Sequence, residues 1–175
     1  MLSRDVCEEH PWETPQDAIV HLLVDAAGEP SRCAAVLFVD GRIIYTDGAP
    51  SKAITNRLAK RADSQIMALE SLAIGLGLCT FASELQGRKV VVYSDNTGAE
   101  AAVRQGSAKS WDHCEIVHDI WSLALMNRTF IWVERVCSKE NLSDCPSRLD
   151  YELLQQLGAE WRAPVMVQSF VDGFS

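Results

Sequence analysis

Ile19-Val20-His21-Leu22-Leu23-Val24-Asp25 is a run of apolar and β-branched residues that stops at an acid, with Ala26, Ala27 and Gly28 behind it. A short apolar run bounded by turn-forming residues reads as a central strand covered on both faces, and it leaves Asp25 at the strand end. The pattern returns in Lys89-Val90-Val91-Val92-Tyr93-Ser94-Asp95-Asn96, where a second such strand delivers a second acid just before a helical stretch from about Thr97. Two buried strands that carry carboxylates to one edge of a sheet have the geometry of a site.

The residues between the two strands supply hairpins and then a helix. Gly28-Glu29-Pro30-Ser31 forms a turn into Ala34-Ala35-Val36-Leu37-Phe38-Val39, and Asp40-Gly41 links that run to Ile43-Ile44-Tyr45. Asp-Gly between two apolar runs is a strong hairpin signal. Three antiparallel strands therefore open the domain, a long helix crosses over, and the Val90 strand joins parallel to the first. The helix opens at Asp63-Ser64-Gln65-Ile66-Met67-Ala68-Leu69-Glu70, with Ile66, Leu69, Ala73 and Leu76 as its buried stripe. Glu70 lies on the edge of that stripe. Turned inward, its charge would be costly without a cation or a donor; taken alone, it reads as a boundary residue that reaches solvent.

A second helix is expected over about 97–105, stopped by Gly106, and a third over about 110–126, with Val117, Ile120, Trp121 and Ala124 as its apolar face. After a strand at Thr129-Phe130-Ile131-Trp132-Val133 comes Asn141-Leu142-Ser143-Asp144-Cys145-Pro146-Ser147-Arg148-Leu149. Asn141 or Ser143 could cap a helix with Asp144 in its first turn and Pro146 near the start. By itself Asp144 would merely complement the helix dipole. The expected fold class is α/β, a mixed five-stranded sheet with helices on both faces.

With 175 residues and an apolar fraction of 47%, the chain can bury the core of one domain, and it has no repeated or low-complexity segment. The expected boundaries are a polar lead-in at 1–17, the domain at 18–160 and a tail at 161–175. No apolar run approaches the ~18 residues of a membrane helix. Arg4, Asp5, Glu8 and Glu9 leave no hydrophobic signal region at the start, so an intracellular protein, cytoplasmic or nuclear, is expected. Six cysteines without a C-x-x-C pair read as reduced thiols. Cys114 and His118 have helical spacing but no second ligand pair, which argues against zinc, and no serine sits in a nucleophile-elbow pattern.

A net charge of −8 opposes binding of a polyanion at long range. Lys52, Arg57, Lys60 and Arg61 form one basic cluster, and Arg104 and Lys109 another. Either could track a phosphate backbone, although a solvated face is the commoner meaning of such clusters.

Four acids in their contexts, the Val24-Asp25 strand end, Gln65 to Glu70, Tyr93-Ser94-Asp95-Asn96-Thr97 and Lys139 to Arg148, give the chain a resemblance to the ribonuclease H family. Within that family it is most similar to the domain that follows reverse transcriptase in retroelements. The resemblance covers about Ile19 to Leu149. It implies a two-metal endonuclease that cuts the RNA strand of an RNA/DNA hybrid, with Asp25, Glu70, Asp95 and Asp144 as both catalytic residues and metal ligands. Two Mg2+ ions, for which Mn2+ can substitute, are implied as cofactors. Mg2+ takes hard oxygen ligands, in keeping with Asp and Glu, and two such ions would offset the four carboxylates. Asp25 would bridge both ions, Asp144 would hold the one that activates water, and Glu70 with Asp95 the other. Contacts to the 2′-hydroxyl would select the RNA strand, with Asn96, Thr97, Arg57, Lys60 and Arg61 as candidate nucleic-acid contacts.

The resemblance further implies a monomeric isolated domain and an adjoining reverse transcriptase domain, whose basic surface would compensate the acidic charge. Departures from the family pattern are the absence of a His from the loop Glu134-Arg135-Val136-Cys137-Ser138-Lys139, Cys137-Ser138 in place of a frequent Pro-Gly, and no basic hybrid-binding helix between Gln105 and Trp111. The alternatives are a non-catalytic scaffold of the same fold, a superfamily nuclease acting on DNA, and an acidic metal- or protein-binding domain.

Overall fold

The computed structural model describes residues 19–58 and 65–166. The first strand, β1 (Val20–Gly28), runs antiparallel to β2 (Ser31–Val39), and β2 runs antiparallel to β3 (Arg42–Gly48). The second of these hairpins turns on Asp40 and Gly41, both at positive φ (49° and 74°), the backbone that a two-residue Asp-Gly turn demands. After a short helix α1 (Lys52–Arg57), the crossover helix α2 (Ile66–Thr80) and one further turn α3 (Ala82–Leu85), the chain enters β4 (Lys89–Ser94). β4 pairs parallel to β1 with Val20 opposite Val90, as the apolar patterns predict.

Helix α4 (Thr97–Gln105) follows directly, ending on Gly106 in the left-handed region, and α5 (Trp111–Met126) leads into β5 (Phe130–Arg135), parallel to β4. The chain closes with two short helices, α6 (Asp144–Ser147) and α7 (Glu152–Gln156), and a two-residue strand β6 (Glu160–Trp161) beside β3. Among the described residues the sheet has six strands in the order β5-β4-β1-β2-β3-β6. The expectation of five is thereby corrected. β6 adds only two residues to the ladder, too short a stretch to show period-2 alternation.

Helices cover both faces unequally. On one face Val20, Leu22 and Val24 of β1 with Ala35 and Leu37 of β2 pack against α2, α4 and α5 in the main core. On the other, Leu23 and Val36 form a small cluster closed by Leu154 of α7. Asp47 of β3, itself buried, fastens this second layer: it accepts hydrogen bonds from Arg32 Nε at 2.7 Å, Tyr151 Oη at 2.9 Å and Trp161 Nε1 at 3.3 Å.

The predicted one-sided stripe of α2 is corrected as well, because every residue from Ala68 to Leu78 is buried. α2 lies between the sheet and α5, with α4 alongside, so it has no solvent face to keep polar. Gly77 marks its closest approach to the sheet. A Cβ there would stand 3.0 Å from Leu22 Cδ2 and 3.2 Å from Ala35 Cβ.

Candidate metal centre

The site is built where the parallel pairing of β1 with β4 stops, after Leu23 and Tyr93; β1 itself runs on to Gly28 in its pairing with β2, so the expectation that Asp25 stands at a strand end is corrected. Asp25 is the sixth residue of β1, and Asp95 follows the last residue of β4. Because α2 packs across β1 and β2, Glu70, in its second turn, enters from that face. One carboxylate oxygen from each of Asp25, Glu70 and Asp95 lies within 4.8 Å of the others. Asp25 and Glu70 are buried, Asp95 partly so.

Glu70 does not reach for solvent, as it would if read alone. Its Oε1 accepts the backbone N–H of Ala26 at 3.2 Å and its Oε2 the hydroxyl of Ser94 at 3.4 Å. The helix that carries it is buried all round, which decides the choice between the two readings. Burial, and then the charges of Asp25 and Asp95, push the Glu70 carboxyl up to about 8. Burial likewise raises Asp25 to about 6, assisted by the charges of Asp144 and Asp95 and opposed by the hydroxyl of Ser147. Among the described residues no salt bridge neutralises any of these three acids.

Asp144 opens α6 and lines the same cleft, of about 580 Å³, but stands outside the group of three. Its Oδ1 accepts from Arg148 Nε at 2.6 Å across one helical turn. The capping role expected of Asn141 or Ser143 is not what the structure uses. Ser143 occupies the cap position without a side-chain cap bond. Its hydroxyl donates to Asn141 Oδ1 at 2.6 Å, and Asn141 Nδ2 donates to the carbonyl of Val24 at 2.9 Å. Asn141 therefore ties the approach to α6 onto β1 one residue before Asp25. Ser147, on the last turn of α6, donates its hydroxyl to Asp25 Oδ2. Sequence reading missed Ser94, Ser147 and the bridging use of Asn141, although all three fall inside or beside the quoted stretches. Their signal is only a small hydroxyl or amide next to an acid.

Of the remaining candidates, Asn96 lines the cleft and caps α4, accepting the N–H of Ala99 at 3.0 Å. Thr97 is exposed at the first turn of α4. Arg57 ends α1 and lines a separate small hollow with Trp111 and Glu115, away from the acids. Lys60 and Arg61 lie outside the described residues. The loop before α6 places Ser138 on the lining of the cleft. The two histidines of α5 do not line the cleft: His113 is buried, and His118 is exposed beside Asp119.

No family model matches this chain, and no curated protein matches it. Solved structures do match, among them the following two. The N-terminal RNase H domain of Rv2228c from Mycobacterium tuberculosis, solved as a fusion with maltose binding protein, superposes with a TM-score of 0.55 at 16% identity, over 81% of this chain and 99% of that one. RNase H1 of the halophilic archaeon Halobacterium salinarum NRC-1 superposes with a TM-score of 0.56 at 17% identity, over 79% and 99%. The chain has the ribonuclease H fold.

On that ribonuclease H fold the donor set can be tested for a metal. Three carboxylates within 4.8 Å of one another, with no salt bridge to any of them among the described residues and two of them pushed up in pKa by burial and repulsion, form a donor set that a hard divalent cation would fit. Every donor is a carboxylate oxygen, with no thiol or imidazole among them, which suits Mg2+ or Mn2+ better than zinc. Among the described residues of this ribonuclease H fold, no helix is long and apolar enough to cross a membrane.

Proposed function

We propose that this chain is a metal-dependent endonuclease that hydrolyses the RNA strand of RNA/DNA hybrids. The observation that carries the proposal is the set of three carboxylates, Asp25 of β1, Glu70 of α2 and Asp95 after β4, with one oxygen of each within 4.8 Å of the others on a ribonuclease H fold, and with a fourth acid, Asp144, lining the same cleft. Asp25, central to the set and oriented by Ser147, would be shared between two Mg2+ ions; Glu70 with Asp95 would hold one and Asp144 the other. Bound there, the ions supply activation of a water nucleophile and stabilisation of the leaving oxygen.

The protein's own part is orientation. Ala26 N–H and Ser94 Oγ fix the two oxygens of Glu70, Ser147 fixes Asp25, and Asn141 holds α6 against β1 so that Asp144 faces the same space. Strand choice would come from contacts to the 2′-hydroxyl beside the cleft, where Asn96 and Thr97 stand. The lead-in at 1–17, domain at 18–160 and tail at 161–175 remain the proposed division of the chain. The proposal includes a retroelement origin, an adjoining reverse transcriptase domain, a monomeric isolated domain, and work in the cytoplasm or nucleus. With a net charge of −8, the domain would depend on cations or on a basic neighbour for affinity.

The test is cleavage of a labelled RNA/DNA hybrid in Mg2+ or Mn2+ by the native chain and by Asp95→Asn, with duplex DNA and duplex RNA as controls. Hybrid-specific cutting that requires metal and disappears in the variant is the expected result. Cutting of duplex DNA instead would move the chain to the DNA-acting nucleases of the superfamily. A folded, metal-loaded protein that cuts none of the three would be a scaffold.

A further inference from the structure

Arg148 stands at the junction of the two halves of the site. Its Nε is 2.6 Å from Asp144 Oδ1, while its side chain is 71% exposed on the lining of the cleft that holds Asp25, Glu70 and Asp95. The residue before it, Ser147, is buried and hydrogen-bonded to Asp25. The last residue of α6 is thus fastened to the three-acid group, and the next residue pairs with the fourth acid, which lies outside that group. The Asp144 side chain is itself about one-third exposed, so water screens the pair and the contact is weak. Compared with this, a divalent cation shared with Asp25 would bring twice the charge and further ligands.

We propose that Arg148 is an exchangeable counter-ion: it occupies the Asp144 carboxylate in the cation-free site, yields that carboxylate to a divalent cation, and then presents its freed guanidinium to a backbone phosphate of the nucleic acid. The proposal rests on the metal and polyanion of the function proposed above. Once cations fill the cleft, their charge repels the guanidinium outward, and its planar fork matches the geometry of a phosphate. The exchange gives an acidic protein a phosphate contact that exists only when its metal is in place. Cation binding would therefore precede productive binding of nucleic acid.

Binding of Mn2+ to the full chain, followed by electron paramagnetic resonance without any substrate, tests the first half. Arg148→Gln should bind Mn2+ roughly two- to fivefold more tightly, the size expected for release of an exposed ion pair, and the gain should vanish in an Asp144→Asn background. A gain that persists in that background would make Arg148 a diffuse repelling charge and overturn the exchange, as would no gain at all. Asp25→Asn separates the two proposals. If it leaves Mn2+ binding intact, or the native chain binds none, the metal centre fails and the exchange with it. If it abolishes binding while Arg148→Gln changes nothing, only the exchange fails.

The second half is read by fluorescence anisotropy of a labelled RNA/DNA hybrid, with Ca2+ in place of Mg2+ so that binding is measured instead of cutting. Arg148→Gln should weaken the Ca2+-dependent binding and lower the slope of log affinity against log salt by about 1. An unchanged affinity, or an equal loss in EDTA, would overturn the release step.

Discussion

Glu70 and Asp25 concentrate the energetic cost of the site. Both carboxyls are held above their ordinary values in the fold, Glu70 from 4.5 to about 8 and Asp25 from 3.8 to about 6. In that interval the folded chain binds more protons than the unfolded chain, so the cation-free protein loses stability as pH rises. Thermal unfolding in EDTA should show the midpoint falling between pH 4.5 and about 8, and Mg2+ should restore it at the upper end. Glu70→Gln should flatten the slope and raise the cation-free midpoint near pH 8; a slope that survives this change would deny the Glu70 assignment. Ser147→Ala removes the one side-chain donor that opposes the rise of Asp25. Its expected cost is about tenfold or more in metal affinity or turnover, read as a shifted Mg2+ dependence with little change in the unfolding midpoint. At this scale the sequence showed which acids stand beside which elements, but not that the Ser147 hydroxyl of α6 would orient Asp25, 122 residues earlier in the chain.

The elements were legible in proportion to how local their causes are. The Asp40-Gly41 hairpin, the stop of α4 at Gly106 and the span of α5 follow from turn chemistry and helical periodicity that neighbouring residues specify. For α2 the stripe predicted from Ile66, Leu69, Ala73 and Leu76 was too narrow, because burial on all sides depends on two layers meeting over it. Gly77→Ala tests how tight that meeting is. Helix propensity favours alanine by about 1 kcal/mol. The new Cβ, however, would press on Leu22 and Ala35, both buried and unable to move aside, and overpacking of this kind costs about 1–3 kcal/mol. A net loss of stability in urea unfolding is expected, and an unchanged or raised midpoint would mean that the α2–sheet contact is looser than the structure has it.

For the whole molecule, the small layer behind β2 and β3 is where stability and site are separate. Asp47 joins β3 to Arg32 of the neighbouring strand and to Tyr151 and Trp161, more than a hundred residues further along the chain. Asp47→Ala would leave the Arg32 guanidinium without its partner and two aromatic donors unpaired. A loss of about 2–3 kcal/mol is expected after allowance for the partial exposure of Arg32. Denaturant unfolding reads it directly, and a loss below about 0.5 kcal/mol would place the network among ordinary surface contacts. Net charge acts at this same scale. A chain of −8 should bind hybrid more weakly without divalent cations than with them, beyond what matched ionic strength explains. Equal affinity in EDTA and in Ca2+ would mean that the cleft acids take no part in nucleic-acid binding.

By itself the sequence determined the order of the five longer strands and the main helices, the parallel pairing of the two acid-bearing strands and the three hairpin strands ahead of the crossover, because alternation, turn residues and apolar runs are written in neighbours. It also marked all four acids through their contexts. Only the tertiary structure decided that Glu70 is buried and hydrogen-bonded instead of solvated, that Asp25, Glu70 and Asp95 meet while Asp144 pairs with Arg148, and that a sixth strand closes the sheet. Those outcomes depend on which layers cover which faces and on contacts between residues tens of positions apart, and no local pattern carries that information.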